Sequence, residues 1–315
     1  MSNAKGILLL SHLRIQNANA ISGPLTWGFP APSAFTGFVH ALSCHIPKQY
    51  SIRFDGVGII CHQFNPQVAG KYAKVFNLAR HPVDKEGKTA ALVEEGRVHL
   101  EVSLVIEAHG CLEEHEYQHF AESMLEQVYT MRIAGGSILP AHANVKLPAQ
   151  WKELTGTEVD LQKEFKKIRR CLLPGFALVS RQDLLESRFN ELKENAEDTT
   201  PLDALLDLTQ LNIDQNVDPL NTEQATWEYR HKSGWLVPIP VGYGAISDLY
   251  SPGAVANSRD EETAVRFVES LYSLGQWISP HRIENFAHLF WRHDARPDEN
   301  LYLCTNAFKS KEITI

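Results

Sequence analysis

Acidic residues are missing from the start of this 315-residue chain, in which the first is Asp55. Residues 1–100 hold ten Lys and Arg against five Asp and Glu, whereas the whole chain has a net charge of −8, which leaves −13 for the remainder. The overall charge argues against a uniformly basic nucleic-acid binder. The imbalance indicates a basic working face near the start and an acidic surface elsewhere, or else chance unevenness of a solvated surface.

Long apolar runs and paired cysteines are also missing. No segment approaches the ~18 consecutive apolar residues of a membrane helix, and the apolar run at 7–10 is too short for the core of a signal peptide. The five cysteines are an odd number without a CxxC pair, which is typical of reduced thiols rather than of a disulfide framework. These features predict a folded cytoplasmic protein without a membrane partner.

Recognisable catalytic signatures are scarce. The fourteen histidines form no HxH pair and no Cys/His cluster with metal spacing, and no GxSxG elbow occurs. His40 and Cys44 are interpreted as a core pair, and His115 and His119 as part of a solvated surface beside glutamates. We therefore predict no catalytic residues, no metal and no cofactor.

Apolar periodicity predicts an α+β fold whose first part is a ferredoxin-like (RRM-like) core. Strands with buried or alternating apolar positions and helices with one apolar stripe follow each other in the order β, α, β, β, α. They are predicted at 6–13, 33–46, 54–64, 97–107 and 116–131. The excursion at 65–91 is predicted as an inserted hairpin thumb with its tip at 84–88, which completes a palm domain over 1–145.

The sequence pattern of residues 146–315 predicts a second, mostly helical half with some strands, which packs on the palm. Helices are predicted at 161–172, 182–195, 261–277 and 283–291. The acidic, turn-rich segment 197–224 is predicted as an exposed linker. A short strand at 235–239 contains Pro238, which favours an edge position because proline cannot donate to a ladder.

The connection after the first strand is unusually rich in hydrogen-bonding side chains. It contains Arg14, the amides of Gln16, Asn17 and Asn19, and an exposed-looking Trp27. Amides read base edges and aromatic rings stack on bases, so this composition fits single-stranded RNA. The alternative is that the asparagines close turns and Trp27 fills the core.

Three further segments offer similar choices. Ser33 and Thr36 begin a helix whose first turn could receive a phosphate, although Ser33 could simply cap that helix. In the predicted thumb, Phe76 lies among four polar residues, Lys71, Lys74, Asn77 and Arg80. This composition suits a contact that follows an RNA backbone, or else a hairpin that is simply solvated. Arg132 precedes Gly135, Gly136 and Ser137, where the backbone could approach a ligand or the glycines could end a helix.

Several blocks resemble one known family. LRIQNANAISGPLTWGFPAPSAFTG, MRIAGGSILP, LLPGFALVSR and GWLVPIPVGY are similar to segments in the family of second subunits of the Csy complex. That complex is the type I-F CRISPR surveillance (Cascade) particle, and the family belongs to the Cas-five group. The resemblance runs from about residue 7 to about residue 291.

The resemblance implies a non-catalytic RNA-binding subunit that holds the five-prime handle of the CRISPR RNA. It implies pairing with the large subunit, contact of the thumb with the Cas-seven-type backbone subunit, and an indirect role toward target DNA. The residues expected to contact RNA are Arg14, Gln16, Asn17, Asn19, Trp27, Ser33, Phe35, Thr36, Lys71, Lys74, Phe76, Asn77, Arg80, Arg97, Arg132, Gly135, Gly136, Ser137 and Arg181.

Two other functions stay open. Relatives in another subtype of the Cas-five group process precursor RNA, so an endoribonuclease that cuts CRISPR repeat RNA is the alternative. A protein adaptor without RNA contact is the third hypothesis, and the amide-rich connection argues against it.

Overall fold

The computed structural model describes residues 6–80, 82–83, 86–217, 225–229, 232 and 234–309, and shows an α+β protein with a large antiparallel sheet. Asp84 and Lys85 of the predicted thumb tip, and residues 218–224 of the predicted linker, lie outside the described residues. The strands are β1 (Gly6–Asn19), β2 (Arg53–Pro66), β3 (Val68–Ala69), β4 (Val75–Phe76), β5 (Leu78–Arg80), β6 (Leu92–Glu94), β7 (Arg97–His109), β8 (Arg132–Ile133), β9 (Gly136–Leu139), β10 (Ala149–Glu153), β11 (Phe176–Ser180), β12 (Ile213–Val217), β13 (Ala225–Tyr229), β14 (Trp235–Ala245), β15 (Val268–Ile278), β16 (Phe290–Arg296) and β17 (Leu301–Asn306).

Five helices are present in the described part of the chain. They are α1 (Pro32–Ser43), α2 (Tyr117–Thr130), α3 (Glu158–Cys171), α4 (Gln182–Asn195) and α5 (Pro201–Thr209). Among the described residues, no helix combines the length and the apolar character needed to cross a membrane.

Strand β1 is hydrogen-bonded to other strands on both sides. β7 pairs along one side of it, and β10 and then β9 pair along the other. Its side chains alternate between two hydrophobic cores on the two faces of the sheet. Leu8 and Leu10 belong to the first core, on the first face, and Ile7 and Leu9 belong to the second core, on the second face. Because both faces are covered here, the strand is apolar almost throughout.

Helices α1 and α2 cover the first face of the sheet. The stripe predicted for α1 is buried, as is the stripe of α2, so both amphipathic patterns are confirmed. The stripe residues are Phe35, Phe38, Val39 and Leu42 of α1 and Phe120, Met124, Leu125 and Val128 of α2. Within this part the strands lie side by side in the order β2-β7-β1-β9. The opposite face is covered near the start of β1 by α3, through Phe165 and Ile168.

The second half of the chain extends the same sheet. β16 pairs with β2 through Phe290 and Trp291, and β10 pairs with β1. Trp291 is fully buried in the first core and donates its indole N–H to the carbonyl of Leu178 at 2.7 Å. The prediction of a mostly helical second half is therefore wrong, because strands from that half complete the sheet.

Two predicted helices are replaced by other structure. The segment predicted as a helix at 261–277 forms strand β15 from Val268, between β11 and β14. Its apolar residues Leu271 and Leu274 happen to lie three apart, but tertiary pairing overrides that local spacing. The segment 283–291 forms a short 3-10 turn, Phe286–His288, and enters β16.

The acidic segment after residue 196 is more ordered than a linker. α5 begins with a capping box in which Thr200 and Asp203 bond to each other's backbone N–H groups. Pro238 does occupy an edge: β14 pairs with β15 along its length, whereas β17 pairs with β14 only at Gly242–Gly244 in the described structure.

Replacing Trp291 with alanine should lower the free energy of unfolding by ~3–5 kcal/mol, because the change opens a cavity in the first core, to which both halves of the chain contribute. Chemical denaturation followed by circular dichroism measures this. Trp227→Ala is the matched control, since Trp227 is 65% exposed and its loss should change stability by less than ~0.5 kcal/mol. Equal midpoints for the two variants would contradict the assignment of Trp291 to the core.

Candidate functional site

A cleft of about 630 Å³ lies where the connection after β1 meets the start of α1. Asn19, Ser33 and Gly135, which come from three separate predicted segments, line it together with Ser22. The folding of β1 against β9 brings these segments together, because β9 begins at the glycine turn and pairs with the end of β1. The structure thus unites residues that the sequence offered separately.

Backbone bonds join the end of β1 to the glycine turn and to the residue before β7. Asn19 N–H donates to the carbonyl of Ala134 at 2.8 Å, and Ala20 N–H donates to the carbonyl of Gly96 at 2.8 Å. The side chain of Asn19 closes a turn by bonding both backbone groups of Ile21. The turn-closing interpretation is therefore confirmed for the Asn19 amide, although Asn19 remains exposed in the cleft.

The start of α1 is open to the cleft. Its N-cap residue is Ala31, no side chain caps the helix, and the first turn contains no acidic residue. Ser33 is therefore not the cap. Pro32 has no N–H, and the N–H groups of Ala31 and Ala34 are bonded to the Ser22 hydroxyl and the Ala31 carbonyl. The helix start therefore offers an anion the N–H of Ser33 and the positive end of the helix dipole.

Two predicted RNA contacts in α1 are contradicted by burial. Phe35 is completely buried and stacks on Phe29, with ring centroids 5.5 Å apart. Thr36 is 3% exposed, and its hydroxyl donates to the carbonyl of Ser33 at 3.3 Å. Both side chains hold the helix in place and neither can reach a ligand.

The far wall of the cleft consists of Tyr243 and Tyr302, which sequence reasoning missed. Burial raises the pKa of Tyr302 above its ordinary value, so its phenol stays protonated at neutral pH. These tyrosines lie more than 200 residues from the amide-rich connection in the chain. Only the pairing of β14 with β17 brings them to it, and no local sequence pattern could reveal this.

A second cleft, of about 500 Å³, adjoins the first through Ser22. Its walls contain six aromatic rings, five of which sequence reasoning missed. Trp27 was predicted, and the other rings are those of Phe29, Phe64, Phe176, Trp235 and Trp277. Cys61 also lines it, and burial raises the pKa of that thiol to about 12, so it stays protonated. Flat apolar walls of this kind suit an aromatic ligand group.

Trp27 connects this aromatic cleft to the excursion between β2 and β7. Its ring is 49% exposed and meets Phe76 edge to face at 5.3 Å. The alternative in which Trp27 fills the core is wrong. Phe76, predicted as a stacking residue among cations, is half-buried against Trp27.

The excursion consists of two short ladders, β3 with β4 and β5 with β6. Lys71, Lys74, Asn77 and Arg80 are all exposed on it, as predicted. Tyr72, which the sequence did not single out, is 95% exposed beside Lys71. The excursion thus presents cations and an aromatic ring to solvent.

Arg14 and Gln16 are not among the residues that line the two clefts. They alternate with Leu13 and Ile15, which are in the first core, so they face the opposite side of the sheet. Asn17 adopts the left-handed conformation, with φ of 58°, at a bulge in β1, and its N–H donates to His99 at 3.1 Å. Of the predicted loop site, Asn19 and Trp27 therefore line the clefts, whereas Arg14, Gln16 and Asn17 do not.

This second face carries a cluster of polar side chains. His12 and His62 stack with ring centroids 4.0 Å apart, and His12 Nδ1 donates to Glu101 at 2.6 Å. His62 Nδ1 donates to the carbonyl of Pro174 at 2.6 Å, and its Nε2 lies 2.7 Å from the hydroxyl of Ser103. Burial lowers the pKa of His62, and the nearby His12 adds to that effect.

Other predicted contacts have structural roles. Arg181 is 5% exposed and binds Asp183 and Gln276, which contradicts a direct RNA contact. Gly136 is buried, and a Cβ there would clash with Ile15 and Ala18. Both residues fix the strands that border the clefts.

The remaining predicted contacts keep exposed groups. Arg97 is paired with Glu95 at 2.6 Å, and Arg132 donates to the carbonyl of Gly135 at 3.1 Å. Gly135 is exposed with φ of 74°, and Ser137 follows it on an exposed position of β9. The glycines turn the β8–β9 hairpin, so the alternative in which they end a helix is wrong.

Metal-binding geometry is limited in the described residues to Asp55, Glu107 and His109, whose ligand atoms lie within 4.8 Å of one another. The guanidinium of Arg292 binds Glu107 and supplies the positive charge there.

Residues 115–119, HEYQH, fit the HExxH spacing of zinc proteases. However, His115 belongs to a 3-10 turn before α2 and both histidines are exposed. No described residue joins them in a three-ligand group, which supports the solvated-surface interpretation.

Comparison with known proteins identifies a matching family and a relative within it. The family model of CRISPR-associated proteins named Cas_Csy2 matches residues 8–304. CRISPR-associated protein Csy2 of Pseudomonas aeruginosa (strain UCBPP-PA14) is 50% identical over 313 residues, which cover 96% of this chain and 95% of that protein.

The lowered pKa of His62 predicts a pH-dependent stability. The unfolded chain takes up a proton near the ordinary value of 6.5, whereas the folded protein resists it, so the free energy of unfolding should fall as the pH drops below 6.5. His62→Gln should remove up to ~1.4 kcal/mol per pH unit of that dependence. Denaturant titrations between pH 7.5 and 5.5 measure it, and parallel profiles for the two proteins would contradict the assignment.

Proposed function

Because the chain belongs to the Csy2 family of CRISPR-associated proteins, we propose that it is a non-catalytic RNA-binding subunit of a type I-F CRISPR surveillance complex. It holds the five-prime handle of the CRISPR RNA and pairs with the large subunit for target DNA recognition. The complex acts in the cytoplasm as an antiviral ribonucleoprotein.

The observation that carries this proposal is the junction of the two clefts at Ser22. One cleft offers an uncapped helix N-terminus, which suits a phosphate, and the other offers exposed aromatic rings, which suit bases. Single-stranded RNA presents phosphates and unstacked bases next to each other. A ligand with only one of these groups would not use both clefts.

The topology supports a ferredoxin-like core. The strand order β2-β7-β1-β9, with α1 and α2 on one face, follows the βαββαβ motif in which the first strand lies beside the third. In this description the segment between β2 and β7 is the thumb. Its exposed cations and Tyr72 suit contact with guide RNA and with the backbone subunit.

The charge distribution supports the proposed partners. The strongly acidic remainder of the chain after residue 100 repels a polyanion, so it directs RNA to the basic front. That acidic surface is the part available to the large subunit.

The alternative function, cleavage of CRISPR repeat RNA, is favoured by one observation, the stacked pair of His12 and His62 beside Glu101. General acid–base cleavage needs imidazole nitrogens within reach of the RNA. Both nitrogens of His62 are engaged with Pro174 and Ser103, which favours a structural role. Incubation of repeat RNA with purified protein in EDTA distinguishes the two: cleavage that His12→Gln abolishes would replace our proposal.

Removing three thumb cations should weaken RNA binding. Lys71→Gln, Lys74→Gln and Arg80→Gln together should lower the slope of log affinity against log salt by ~2, because each lost phosphate contact accounts for about 0.7 with single strands. Fluorescence anisotropy with handle RNA measures it. Lys48, Lys146 and Lys193, exposed outside the clefts and the thumb, provide the control. An unchanged slope would exclude the thumb from the RNA interface.

Trp27→Ala should cost ~1–3 kcal/mol of RNA binding if Trp27 stacks on a base. Trp227→Ala, which removes a similarly exposed ring elsewhere, should leave the affinity unchanged. RNAs with a single abasic position identify the stacked nucleotide. Removing that base should weaken binding to wild type and to Trp227→Ala, whereas Trp27→Ala should bind the abasic RNA as well as it binds intact RNA. Equal affinities of both variants for intact RNA would exclude stacking on Trp27.

A further inference from the structure

We propose that the exposed face of α3 binds the phosphate backbone of duplex DNA, separately from the RNA clefts. Lys163, Lys166, Lys167 and Arg170 lie on this face, which we call the basic stripe, and all four are exposed. Their spacing of three, four and seven residues places them on one side of the helix. They stand out because the chain after residue 100 carries a net charge of −13.

The packing of α3 directs the basic stripe to solvent. Phe165 and Ile168, on the other side of the helix, are buried against the sheet. Arg169 does not belong to the basic stripe: its guanidinium donates to the carbonyls of His281 at 2.8 Å and Ile283 at 2.7 Å. It fastens the helix to the 3-10 turn Pro280–Arg282, which adds the exposed Arg282 near the end of α3.

Existing ion pairs leave the cations available. Lys163 is 3.5 Å from Asp160 and Lys167 is 2.9 Å from Glu164, and both pairs are exposed on the lysine side. Such pairs contribute ~0–1 kcal/mol each and are screened by salt, so a polyphosphate can displace them. Lys166 and Arg170 form no ion pair with a described residue.

The absence of aromatic rings from the basic stripe favours a duplex over a single strand. Proteins bind single strands by combining cations with aromatic platforms for unpaired bases, and the thumb carries both kinds of side chain in its exposed cations and Tyr72. The aromatic residue of α3, Phe165, is buried. Cations alone suit a nucleic acid whose bases are already paired. The seven residue steps from Lys163 to Arg170 rise ~10.5 Å along the helix, which matches about three nucleotide steps of one DNA strand.

The position of the basic stripe allows both ligands at once. α3 covers the face of the sheet opposite to α1, and the N-terminus of α1 borders the RNA cleft. The proposal therefore does not rest on RNA binding, and the two can fail independently.

The test compares full-length wild type with a variant carrying Lys163→Gln, Lys166→Gln, Lys167→Gln and Arg170→Gln. Glutamine keeps the helix because its helix propensity is close to that of lysine and arginine. The probes are a 30-base-pair DNA duplex of mixed sequence and handle RNA, each titrated at several salt concentrations. A control variant with Lys48→Gln, Lys146→Gln, Lys193→Gln and Arg259→Gln makes the same charge change at exposed positions elsewhere.

For the DNA duplex, we expect the slope of log affinity against log salt to be smaller by ~3–4 in the basic-stripe variant, because each lost phosphate contact accounts for about 0.9. Its affinity for handle RNA should be unchanged. The control variant should keep the duplex slope of wild type. The proposal is overturned if wild type does not bind the duplex, if both variants lose the same slope, or if the basic-stripe variant loses RNA binding equally. Equally tight, salt-dependent binding of polyglutamate by the wild-type basic stripe would also overturn it, since that outcome identifies a surface for acidic proteins.

Discussion

The rest of the structure depends on the way β1 alternates its side chains. A strand of period two can serve two cores only while its register is kept, and β1 does so over Ile7 to Leu10. It then changes register at two bulges, where His12 and Asn17 adopt positive φ. Before the first bulge, the second face of β1 is apolar. After it, that face carries the polar cluster of His12, His62 and Glu101. The second bulge releases the chain into the connection that forms the clefts.

Local patterns could predict the parts of this fold that are local. The stripes of α1 and α2 follow from apolar spacing alone, because each helix packs one face on the sheet. β15 could not be predicted in this way, since its residues are helix-compatible and only pairing with β14 and β11 fixes them as a strand. Ser33 illustrates the same limit at one residue: it is a good cap by type, but Pro32 already occupies the first position of the helix.

The candidate site was predictable as a set of residue types and not as a surface. The amide-rich connection, the excursion and the glycine turn were all identified from composition. The sequence could not show that Tyr243 and Tyr302 form the opposite wall, because that depends on long-range strand pairing. Nor could it show which face each amide occupies: the bulge at Gln16 and Asn17 shifts the alternation, so Arg14 and Asn19, five residues apart, both alternate with residues of the same core, whereas a regular strand would place them on opposite faces.

The fastening at the base of the excursion has a consequence for how this protein can diverge. Gln67 N–H donates to the carbonyl of Arg97, and Ala20 N–H donates to that of Gly96, so the two ends of the excursion are held close together. The entropy of closing a loop grows only with the logarithm of its length. Insertions and deletions beyond this base therefore cost little folding energy. The reach of the excursion can change during evolution without disturbing the sheet or the clefts, so this region is the natural place for relatives to adapt to different neighbours.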